Sequence, residues 1–294
     1  MTGAGAPGAG APGAGAPGAG APGSDAPGSG RRPDPDLPGP GETGPGAPGR
    51  SATDRGPPGF GTTRTDAAWP AASGPGAPGT AAREAFIRAH TVPAHAPLVP
   101  EIVLHLATEI TPIWQASEAW LHRTGIEPPF WAFAWPGGQA LARHILDHPG
   151  LVRGRRVLDF AAGCGVAAIA CAMAGAAEVE AAEIDPLAAA AIALNAAENG
   201  RDMRVLTGDV VGQPSRWDLI LCGDVCYEAP MTRHILPWLR RMAAACEVWV
   251  ADPGRAYLPA DGLAPLAEYD VPTPLELEDR TMRPTRLFRM APGA

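Results

Sequence analysis

The stretch 157–169, Val-Leu-Asp-Phe-Ala-Ala-Gly-Cys-Gly-Val-Ala-Ala-Ile, constrains the fold of this chain more than any other. It reads as a buried strand over 156–159, a tight turn at Gly163 and Gly165, and a helix over 166–174 that Gly175 stops. A second strand, 178–183, ends on Glu183. Glycine carries no Cβ, so the turn lets a ligand approach the backbone closely. The helix that follows offers free N–H groups to that ligand. Glu183 falls about 20 residues after Gly163, where a carboxylate can accept from both hydroxyls of a ribose. The pattern predicts a nucleoside-cofactor crevice in a doubly wound α/β sheet.

Two nucleoside cofactors compete for that crevice. Gly163-Cys-Gly165-Val-Ala-Ala168 satisfies the loose dinucleotide fingerprint, with Glu183 on the ribose. In that fingerprint the first glycine follows the strand almost directly. Here Asp159-Phe-Ala-Ala intervenes, and an acid at the strand's end would repel a pyrophosphate. A methionine tail with its ammonium tolerates the acid. Further acids, Asp209 after the third strand and Asp224 after the fourth, suit a cationic sulfonium. The residues therefore favour S-adenosylmethionine over a dinucleotide.

The fold does not start at residue 1. Residues 1–82 begin with a Gly-Ala-Gly-Ala-Pro repeat and continue in Pro, Gly, Ser and Thr. Large apolar side chains are almost absent, so burial cannot offset chain entropy, and either a disordered tail or the product of a start codon placed too far upstream is expected. The segment lacks the apolar core of a signal peptide and the early arginines of a transit peptide. Residues 83–294 form one domain by size. No apolar run there reaches the ~18 residues that a membrane span needs. The net charge of −8 argues against nucleic acid and favours a basic partner. All 23 basic residues are Arg, so the chain offers no lysine side chain of its own. Five cysteines without a C-x-x-C pair read as buried thiols in a reducing cytoplasm, and no histidine spacing suggests a metal.

Along the domain, the pattern predicts a short helix over 84–91 and a longer amphipathic helix over 100–122. The latter rests on Ile102, Leu106, Ile110 and Ile113 at helical spacing. The aromatic run Trp131, Phe133, Trp135 reads either as packing on the domain or as a lid that sets Trp135 near the cofactor, with Gly137-Gly138 easing close approach. Helices follow at 139–148, 186–198, 231–246 and 263–268, and strands at 203–207, 217–222 and 247–251. The end, 269–290, supplies two last strands as a hairpin, although Pro284 is unwelcome in one of them. Strands alternating with helices imply a largely parallel sheet with functional residues at its carboxyl edge.

These residues resemble a known family. Asp159-x3-Gly163-x-Gly165, Glu183, Gly-Asp209 and Trp-Asp218-Leu are similar to the seven-strand, S-adenosylmethionine-dependent methyltransferases. Gly223-Asp224-x-x-Tyr227 resembles the D-x-x-Y signature of their protein-lysine branch. Trp135-Pro-Gly-Gly-Gln, Glu183-Ile-Asp-Pro and Asp252-Pro-Gly-Arg255 resemble the electron transfer flavoprotein β-subunit lysine methyltransferases, in a bacterial form. The resemblance covers 83–290 and implies a class I methyltransferase (Rossmann-like) fold. That fold is α/β: a seven-stranded, mostly parallel sheet with helices on both faces, preceded here by N-terminal helices. It implies S-adenosyl-L-methionine held by Trp135, Asp159, Gly163, Gly165, Glu183 and Asp209, and a lysine on the flavoprotein β subunit as the acceptor. Ala161 departs from the pattern: it stands where the superfamily usually has a glycine.

The chemistry sets its own demands. Methyl transfer to an amine needs a neutral nitrogen about 3 Å from the sulfonium methyl, in line with the breaking bond. A free lysine, with a pKa of about 10.4, is protonated at neutral pH. Apolar walls lower that value, and a carboxylate orients the nitrogen. Asp224 is the candidate for holding the amine and Tyr227 for shaping its channel. Arg255 could pair with Asp252, with Glu228 or with an acidic part of the substrate. A ribosomal protein or a small-molecule amine are the other acceptors, and a binding module without catalysis is the reading outside enzymes. A cytoplasmic monomer is expected.

Overall fold

The computed structural model describes residues 79–108 and 128–293. The tail assigned to 1–82 falls outside the described residues except for its last few. So does the part of the expected 100–122 helix that holds Ile110 and Ile113.

The first helix, α1 (Thr80–His90), starts just ahead of its expected bound. A hairpin follows, β1 (Val92–Ala96) paired antiparallel with β2 (Val99–Leu106). This replaces the first turns of the helix expected from residue 100. Ile102 and Leu106 are four apart, a spacing that a helix face and a strand face share. Leu104 between them is also fully buried, and that alternation belongs to a strand.

The central sheet holds β3 (Arg156–Phe160), β4 (Glu178–Glu183), β5 (Arg204–Thr207), β6 (Leu219–Gly223), β7 (Glu247–Asp252), β8 (Leu263–Pro272) and β9 (Met282–Met290). Their order is β5-β4-β3-β6-β7-β9-β8. The five strands from β5 to β7 are parallel, while β9 runs antiparallel to both its neighbours. The chain reverses its direction of winding at β3, which opens a crevice at the carboxyl ends of β3 and β6.

The strand sequences explain the two-sided burial. Val157, Leu219, Leu221, Trp249 and Ala251 face one core. Their alternating neighbours Leu158, Phe160, Ile220, Cys222, Val248 and Val250 face the other. The first core is covered by α2 (Pro136–Asp147) and α3 (Val166–Met173), and the second by α5 (Ala229–Met242), whose Trp238 packs on Phe160 and Trp217. A third core joins α1 to α4 (Pro186–Glu198). Among the described residues, all five cysteines are free and no helix is long and apolar enough to cross a membrane.

Asn195 of α4 ties the N-terminal hairpin to the glycine turn. It is fully buried; its amide nitrogen donates to Cys164 O at 2.9 Å and its oxygen accepts from His105 N at 2.8 Å.

The C-terminal end departs from expectation once. Residues 263–268, expected as helix, are the first half of β8, and its partner β9 comes after a short α6 (Leu275–Glu278). Alternating exposure along Ala267, Glu268, Tyr269 and Asp270 marks an edge strand rather than a helix face. Pro284 does sit within β9. It lies opposite Asp270 of β8 and beyond the last β7 pair, Asp252 with Arg286, where only one side of β9 is paired.

Candidate active site

The carboxyl edge of the sheet is built from turns that only unusual backbone can make. After β3, Ala161, Gly163 and Gly165 have φ of 52°, 57° and 77°, and after β6 Asp224 has φ of 56°. Ala161 thus keeps the left-handed conformation that glycine adopts freely, at a cost of about 1–2 kcal/mol for an L-residue. The departure at this position changes the residue and leaves the backbone geometry of a glycine.

On the β3–β4 side the acids find backbone donors. Asp159 is 3% exposed, and its Oδ2 accepts from Ala168 N at 2.9 Å, tying the strand to the first turn of α3. Burial pushes its carboxyl up to about 8, against the pull of the Ala168 N–H and with some help from Glu183. Glu183 takes Gly163 N on Oε1 at 2.7 Å and Ile184 N on Oε2 at 3.1 Å. Burial raises it to about 7, although the Gly163 N–H opposes the shift. With Asp185 N–H as a third backbone donor, its four lone pairs still leave one for a further donor. Asp209, at the neighbouring tip of β5, accepts from Val211 N and meets His234 Nε2 at 2.7 Å, with its side chain half exposed.

This side fits a nucleoside cofactor. A Cβ built on Gly163 would meet nothing within 4 Å, so open space lies over the turn, while one on Gly165 would press Ile192 at 3.1 Å. Exposed Ile184 adds an apolar surface beside Glu183. A ribose would find an acceptor in Glu183, and the buried acids suit a cation better than a pyrophosphate.

On the β6–β7 side Asp224 finds a cation, while Asp252 finds backbone donors. Asp224 is 8% exposed, and its N–H donates to Ala251 O. Its Oδ1 accepts from Arg255 Nε at 3.0 Å and Nη2 at 2.7 Å, and its Oδ2 from Gly137 N. Burial raises the Asp224 carboxyl, and Arg255 works to hold it ionised. Gly137 is required here: a Cβ on it would lie 2.6 Å from both Ala251 O and Asp224 Oδ2. Asp252 uses Oδ1 to accept from Gly254 N and Arg255 N, which shapes the loop that delivers Arg255. Burial pushes Asp252 up to about 6. The Arg255 guanidinium bridges Asp224 and Glu278, not the Asp252 carboxylate or Glu228.

The aromatic run divides. Trp131 and Phe133 are buried in the third core, as packing predicts. Trp135, the N-cap of α2, donates its indole N–H to Phe130 O at 2.8 Å, and the Arg255 guanidinium lies 5.8 Å over its ring. Phe130 in turn stands 5.6 Å from the Tyr227 ring, centroid to centroid. Trp135 is thus linked through Phe130 and Arg255 to the surroundings of Asp224 and Tyr227. Tyr227 is 39% exposed. Burial of its phenol raises it to about 12, and the charges of Glu228 and Glu183 add to the shift. Glu278 was missed, since it belongs to no motif; its one sequence signal is Arg283 five residues on.

The chain is 41% identical over 196 residues to the electron transfer flavoprotein beta subunit lysine methyltransferase of Xenopus laevis, covering 64% of this chain and 78% of the relative. The mouse protein of the same name is 35% identical over 219 residues, with 71% and 84% covered. The chain belongs to the electron transfer flavoprotein β-subunit lysine methyltransferase family. This makes it an S-adenosylmethionine-dependent protein-lysine N-methyltransferase. A family model described as ribosomal protein L11 methyltransferase also matches, over residues 142–225, which hold Asp159, the glycine turn, Glu183, Asp209 and Asp224. Among solved structures, magnesium protoporphyrin IX methyltransferase of Synechocystis aligns at a TM-score of 0.41 and 17% identity, over 53% of this chain and 79% of that one, a likeness too distant to bear on function.

Proposed function

We propose that the enzyme methylates lysine on the β subunit of electron transfer flavoprotein. Glu183 would hold the ribose of the cofactor, the Gly163–Gly165 turn would let it approach, and Asp159 would set the turn. The observation that carries the reading is the pairing of two unlike sides at one crevice. Glu183 keeps acceptor capacity at the tip of β4, and Asp224, held by Arg255 and Gly137 and followed by Tyr227 against Phe130, stands at the tip of β6, on the other side of β3. The relatives' names supply the substrate.

Bound S-adenosylmethionine supplies a methyl group on a cationic sulfur. The chain's own residues prepare the amine. Asp224 would orient the target nitrogen through the remaining lone pair of Oδ2, since Oδ1 already holds Arg255 in two bonds. Phe130, Trp135 and Tyr227 would form the apolar wall that favours the neutral amine. Asp209, at the rim, would contact the cofactor's outer edge. A cytoplasmic monomer that binds no nucleic acid belongs to the same proposal and is supported by the acidic charge and the free thiols.

The match to the ribosomal L11 methyltransferase model favours a second reading, methylation of a ribosomal protein. Mass spectrometry separates the two. The β subunit and a ribosomal protein fraction are each incubated with enzyme and S-adenosylmethionine. Methylated lysine on the β subunit is expected. An unmodified β subunit beside a methylated ribosomal protein would overturn the substrate and keep the chemistry.

A further inference from the structure

Asp224 is the first member of a chain of alternating charges that leaves the site and ends on the C-terminal hairpin. Arg255 Nη2 joins Asp224 Oδ1 at 2.7 Å and also reaches Glu278 Oε1. Glu278 then takes Arg283 Nε at 2.8 Å, and Arg283 Nη2 lies 3.6 Å from Asp279. The inner members are buried: the side chains of Asp224, Arg255 and Glu278 are 9%, 18% and 2% exposed. The segments that meet here are the loops after β6 and β7, α6, and β9. Buried charges hold only when paired, so each member fixes the ionisation of the next.

We propose that Glu278 and Arg255 are positioning residues that set the electrostatic potential at the target amine. The inference rests on the reading of Asp224 as the acceptor of that amine. The groups that face Asp224 from packed elements are Arg255 and Asp252 on the β7 side, Glu278 of α6, and Cys226 of its own loop; α2 contributes only the Gly137 N–H. Arg255 alone would oppose an incoming ammonium. Glu278 balances that charge, so Asp224 remains an anion that a cation can approach. Arg283 in turn keeps Glu278 from overcompensating. No proton or bond changes hands among these residues during turnover; they act only through their fixed charges.

Opposite shifts test the idea. The kcat of the full chain on the β subunit rises with pH as the bound amine loses its proton. Glu278→Gln removes a negative charge, so this rise should move to lower pH, by at least about half a unit. Arg255→Gln removes a positive charge while leaving donors for Asp224, and the rise should move to higher pH by a similar amount. The double variant restores the balance and should return close to the wild-type position. Simple damage to packing would add in the double variant instead of cancelling. If Glu278 or Arg255 variants fail to fold, Arg283→Gln, at the partly exposed end of the chain of charges, serves in their place; it should give a smaller shift to higher pH. Shifts in one direction for both charges, or lower kcat with an unmoved profile, would overturn the inference. Absence of β-subunit methylation by the wild-type enzyme would instead overturn the reading of the substrate.

Discussion

The two sides of the crevice treat carboxylates differently. At the tips of β3 and β4, Asp159 and Glu183 find only backbone N–H groups, and burial raises both toward neutrality. At the tips of β6 and β7, Asp224 is met by Arg255, and Glu278 and Arg283 extend the pairing. The first side is short of positive charge and gains from a cationic ligand with hydroxyl donors. On the second side Asp224 is paired by the protein before any ligand arrives, while Asp252 beside it rests on backbone N–H groups like Asp159. A buried acid therefore signals a binding site most clearly where the fold has left it without a cation.

The strongest way to break this contrast is Asp224→Asn. The amide is neutral and holds an amine poorly, so kcat should fall at least about 100-fold while affinity for S-adenosylhomocysteine stays within about twofold. Single-turnover methylation and calorimetry report the two quantities. An equal loss of cofactor affinity would show that the two sides are one.

Glu183→Ala tests the other side. Removing the ribose acceptor should weaken S-adenosylhomocysteine by about 1–3 kcal/mol, read by calorimetry. Unchanged affinity would remove Glu183 from the cofactor site.

A pH series sharpens the contrast further. Glu183 rises from an ordinary 4.5 to about 7 in the folded chain. Across that window the folded chain keeps a proton that the unfolded chain has lost, so its contribution to stability falls as pH rises from about 4.5 to 7. Glu183→Gln cannot ionise. Without ligand it should melt a few degrees above the wild type at about pH 8, and the gap should close near pH 4.5. Wild-type affinity for S-adenosylhomocysteine should rise through pH 7 as Glu183 ionises. Thermal melts and calorimetry at several pH values check both trends. A gap that widens toward acid would contradict the assignment.

The smallest effect is expected at Ala161→Gly. Relief of the left-handed strain, about 1 kcal/mol, is largely offset by the greater freedom of glycine in the unfolded chain, so denaturant melts should move by less than about 1 kcal/mol. A large change would mean that the Ala161 methyl group packs on something essential.

The sequence made the parallel sheet and the glycine turn after β3 legible because that side is local. Asp159, Gly163, Gly165 and Glu183 lie on consecutive elements, and a strand–turn–helix rhythm places them without knowledge of the rest. The N-terminal hairpin was hidden because the four-residue step from Ile102 to Leu106 serves either period. The early start of β8 was hidden because an edge strand with Pro265 and Pro272 lacks the usual strand composition. Arg255 carried a visible charge but no visible partner. Its partner Glu278 comes from the turn region before β9, which only the folded hairpin brings beside β7.

Asn195 sets a lower limit on the shortest autonomous version of this enzyme. The seven-strand sheet starts at Arg156, and a truncation designed on sheet topology alone would discard α1 and the β1–β2 hairpin. That cut removes His105, whose N–H satisfies the buried amide oxygen of Asn195, while the same side chain still holds Cys164 at the glycine turn. The cut would replace that bond by water at the side chain that holds the glycine turn. The N-terminal hairpin is thus coupled to the glycine turn through one side chain, and a fragment that begins upstream of it keeps that coupling.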